Sequence, residues 1–197
     1  MTVQRLILAF SKHQNAVQVG DVRDQIVEWG FYDSIPISPF DKNPDDLLGT
    51  MVELSVPVPP PYASDRTAYA VRFNQNVSLN WQRLICVKEL VHSLDPVQLK
   101  VGSKIQLDAM LKQMLLEDRD LAIENLPALY EDVAVFQALA ILCPEEVREV
   151  LYTECRAIGG EPDYQGVARR FQIPVAMAFV VMTPNWLGFR NRLAGVL

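Results

Sequence analysis

The sequence predicts an α+β fold, a small N-terminal antiparallel sheet packed on a mainly helical domain. Three observations lead there. Met51 to Val56 and Thr67 to Phe73 each alternate apolar and polar residues in the manner of half-buried strands. From Leu79 onward, apolar residues recur at helical spacing instead. Between the two strands stands Pro57-Val-Pro-Pro-Pro61, where fixed φ angles and missing N–H donors dictate an extended surface loop.

Taken in order, the N-terminal Leu6-Ile-Leu-Ala-Phe10 is too short and poorly framed for a secretory signal, so it reads as a first strand or helix. Val22 to Trp29 reads as a short helix ended by Gly30. Asn74-Gln-Asn76 is a turn, and Ser78 is a good N-cap for a helix from Leu79 to Leu94. Trp81, Leu84, Ile85, Val87, Leu90 and Val91 make that helix apolar on most sides, which predicts burial. Further helices are expected over Ser103 to Glu117, Pro127 to Leu142, and Glu145 to Arg156, the last opened by Pro144 and stopped by Gly159-Gly160. Two short helices, Asp163 to Phe171 and Pro174 to Met182, close the domain, and Trp186 onward is a tail. The organisation is thus residues 1–66 as an N-terminal helix and strand region with the proline loop, 67–183 as the main domain, and 184–197 as the tail.

Composition narrows the function. With 197 residues the chain can bury a substantial core. No apolar run reaches the roughly 18 to 20 residues that cross a bilayer, so a cytoplasmic protein is expected. Three cysteines with no close pair supply neither a disulfide framework nor a cysteine zinc site. A net charge of −6 disfavours a phosphate-binding surface and favours a protein or peptide partner. Helix, short turn, helix near the C-terminus can signal DNA binding, but Pro174-Val-Ala-Met-Ala-Phe-Val-Val-Met182 has no side chain able to read a base edge.

The informative segment is Lys88-Glu-Leu-Val-His92. In a zinc peptidase helix of the form H-E-x-x-H, residues four apart share a face, so two imidazoles bind one metal and the Glu serves its water as general base. Here the Glu and the second His are present, and lysine replaces the first His. An ordinary buried helix with a hydrogen-bonded His92 would carry the same letters. Downstream, Glu131 opens Glu-Asp-Val-Ala134-Val-Phe-Gln-Ala138-Leu-Ala-Ile141-Leu142-Cys-Pro144. Together the two segments resemble the ImmA/IrrE family of zinc peptidases, whose second signature runs E-x-x-A-N-x-F-A-x-x-L-L-M-P. Glu131, Ala134, Ala138, Leu142 and Pro144 match in register. Val135 and Gln137 depart from the usual Asn and Phe. Arg83 matches the arginine that commonly precedes the first motif, and Val167 to Ala176 is similar to the family's usual ending.

The resemblance implies a zincin-like domain with His92 and Glu131 at vestigial ligand positions and Glu89 at the general-base position. Lys88 stands at the first ligand position, where an ammonium has donors but no lone pair for a cation. It implies a pseudoenzyme that needs no cofactor and works through a protein partner, plausibly a transcriptional repressor or antitoxin-like regulator. Alternatives are an active zinc endopeptidase that recruits its missing ligand from His13 or a partner chain, and a structural or phage and mobile-element interaction protein. Lys88 itself is expected either to take the metal's place and pair with Glu131, or to snorkel to solvent.

Overall fold

The computed structural model describes residues 2–30, 32–56, 66–94, 126–157 and 161–196. The proline loop, the helix expected over Ser103 to Glu117 and the Gly159-Gly160 stop lie outside the described residues. So do the side chains of residues 126–132.

Two helices come first, α1 (Val3–Phe10) and α2 (Val19–Glu28). The N-terminal apolar stretch is therefore helical, and it buries Val3, Leu6, Ile7 and Phe10. α2 begins earlier than the apolar pattern suggests, because Gln18 and Asp21 form a reciprocal capping box there. Gly30 follows with φ +79°, a left-handed stop that glycine adopts without strain.

The sheet has three strands, β1 (Ile37–Phe40), β2 (Gly49–Val56) and β3 (Arg66–Asn74), in the order β1-β3-β2. β2 runs antiparallel to β3, with Met51 opposite Val71, but β1 runs parallel to it, with Ile37 opposite Val71. The sheet is mixed, not antiparallel throughout. The extra strand is four residues long and includes Pro39, which is tolerated at a sheet edge. On β3, Tyr69 and Val71 point to the core, while Arg72 on the opposite face lies over the Phe40 ring. Buried Asn74 ends β3 by donating to the carbonyls of Lys42 and Leu47 at 3.0 and 2.8 Å, which ties down the β1–β2 connection.

The helical part comprises α3 (Leu79–His92), α4 (Leu126–Leu142), α5 (Glu145–Ala157), α6 (Tyr164–Phe171), α7 (Val175–Val181) and α8 (Trp186–Leu193). α3 packs on α2, α4 and the sheet, and α4 also receives α1 and α8. α3 is buried from Leu84 to His92, and α4 is buried at Ala134, Val135 and Phe136 and from Ala138 to Leu142. Ala134, Ala138 and Ala140 keep α4 narrow enough for close neighbours. The segment read as a tail is a helix docked on this body. Trp186 is buried, and Phe189 meets Phe136 edge to face at 4.6 Å between centroids. Among the described residues, no helix is long and apolar enough to cross a membrane.

Candidate functional site

α3 carries the first motif, and its second half is buried without a break from Leu84 to His92. Ser78 occupies the N-cap position with extended backbone but makes no side-chain cap bond. The Gln82 amide instead donates back to the carbonyls of Val77 and Gln75 at 2.8 and 3.2 Å. At the other end, the Tyr32 hydroxyl donates to the Ser93 carbonyl at 2.6 Å, satisfying an acceptor that the helix terminus leaves open. Tyr32 in turn stands edge-on to Tyr69 of β3, with centroids 5.0 Å apart. The helix is thereby fastened where His92 emerges.

Lys88, Glu89 and His92 are 8%, 4% and 3% exposed. Lys88 does not snorkel to solvent. Its Nζ lies 2.9 Å from Glu89 Oε1, so the two form an ion pair inside the protein. Such a pair is tolerated in a low-dielectric interior only because each charge offsets the other's desolvation. On the far side of Glu89 runs β2. A Cβ on Gly49 would overlap Ile85 Cγ2 and come within 3.2 Å of Glu89 Oε1. Glycine therefore lets the strand backbone close directly over this carboxylate. Burial and Glu89 together push the Cys86 thiol, one turn earlier, up to about 12, so it stays protonated and inert.

Sequence reasoning selected Lys88, Glu89 and His92, and the structure brings the first two into contact and buries all three. It also packs α4, which carries Glu131, directly against α3. The Glu131 side chain lies outside the described residues, as does any contact it makes. His13 belongs elsewhere in the chain, in the turn after α1. Its ring stands edge-on to Phe10, and Nδ1 is 3.1 Å from the Asn15 carbonyl. Gly49 and Tyr32 escaped sequence reasoning. Their roles arise from contacts across 40 and 61 positions, to Glu89 and Ser93, that no local pattern announces.

Arg83, the arginine preceding the motif, has a structural role. Its guanidinium donates to the Val17 carbonyl at 2.5 Å and to the Gln172 side-chain oxygen, joining α3 to the loop before α2 and to the α6–α7 turn. Gln172 holds that turn in a left-handed conformation, φ 53°. Burial lowers the Arg83 pKa from its ordinary value.

Zinc would be needed if the chain were an active peptidase of the kind its motifs resemble. Catalytic zinc is held by three protein ligands that offer lone pairs, with a water in the fourth position. At Lys88, which the sequence resemblance puts at the first ligand position, an ammonium faces Glu89 at 2.9 Å and offers a dication repulsion. An ammonium at this position does not fit a metal ligand. Among the described residues, no group of three or more His, Cys, Asp or Glu is arranged to hold a metal ion. No protein-family model matches the chain, and neither a curated protein nor a solved structure is significantly similar to it.

Proposed function

We propose that this chain is a non-catalytic relative of the ImmA/IrrE peptidases that acts by binding a protein partner, a transcriptional repressor or an antitoxin-like regulator. One observation carries the reading: the buried ion pair between Lys88 Nζ and Glu89 Oε1 at 2.9 Å. A general base must present its carboxylate to a polarised water. Here the carboxylate at that position is neutralised by its neighbour and covered by the backbone of Gly49. The motif's geometry supports a fold that is kept while its chemistry is given up, which leaves binding as the remaining use of the surface.

Metal analysis of protein purified without added zinc tests this. Far less than about one zinc per chain supports the reading, whereas about one per chain would favour a working peptidase. A Glu89→Gln variant supplies the functional arm. If it loses the biological effect while still folding and still binding the partner, catalysis is indicated and the reading fails.

A further inference from the structure

We draw no further inference here: the strongest candidate, the largely buried side-chain cluster of Glu145, Arg148 and Arg190 between α5 and α8, carries none because its opposite charges already face one another at 2.7 and 3.5 Å and so call for no ligand.

Discussion

Among the described residues, charge is buried around Glu145 and around Glu89, and the two clusters are built differently. Around Glu145, the carboxylate accepts from Arg148 at 2.9 and 2.7 Å, and its other oxygen lies 3.5 Å from Arg190 Nε. Arg148 also reaches the Val181 carbonyl at 3.4 Å. This cluster joins α5, α7 and α8, so its burial is explained by what it fastens. The Lys88–Glu89 contact, by contrast, joins neighbours on a single helix. Its burial follows from position: α3 is buried from Leu84 to His92, and a carboxylate there needs a counter-charge. Buried charge by itself therefore does not mark a functional site.

Removing one member of each cluster separates these accounts. Lys88→Met leaves Glu89 buried and unopposed and should cost about 3–5 kcal/mol in urea unfolding. The double variant with Glu89→Leu should recover most of that loss, because a well-packed apolar pair of similar volume is often no worse than a buried ion pair. Failure of the rescue would mean that the pair does tether the fold. Glu145→Gln should cost less, about 2–3 kcal/mol, since Glu145 is partly solvated. Removing Arg190 as well, by Arg190→Met, should not restore stability, because the tie to α8 is lost with it.

Gly49→Ala sharpens the same contrast from the strand side. The new methyl group must displace Ile85 or the strand itself, at a cost of about 1–3 kcal/mol. Tyr32→Phe should cost about 0.5–1.5 kcal/mol by leaving the Ser93 carbonyl without its donor.

The smallest effect concerns pH. Cys86 is raised from its ordinary 9.0 to about 12, so the folded state keeps the thiol protonated while the unfolded chain ionises. Its contribution is therefore fully present below about pH 9 and is lost as pH rises toward about 12. Cys86→Val should flatten the alkaline limb of the stability profile, measured by denaturant midpoint, and leave it unchanged at neutral pH.

The helical half was legible because two local signals agree there. Pro144, Asp163 and Pro174 mark starts, and apolar side chains recur at helical spacing between them, so α5, α6 and α7 fall within a residue or two of expectation. β1 was not legible, because Ser38 and Pro39 within four residues carry no strand pattern of their own and the strand forms only where β3 supplies a partner. Strand direction in the mixed sheet depends on the path of the chain, which periodicity does not encode. α8 was read as a tail because Gly188 and the charged Arg190 obscure its face, yet Trp186 and Arg190 are what bury it. At the site, Lys88, Glu89 and His92 could be chosen from spacing alone. The lid over Glu89 could not, because a glycine carries no signal of what it approaches.

The most direct test is zinc titration of the wild-type chain against a Lys88→His variant, followed calorimetrically after dialysis against chelator. The imidazole substitution supplies a lone pair at the position proposed for the first ligand. The account predicts negligible binding by the wild type and about one tightly held zinc per chain in the variant. Equal behaviour of the two proteins, whether both bind zinc or neither does, would contradict it.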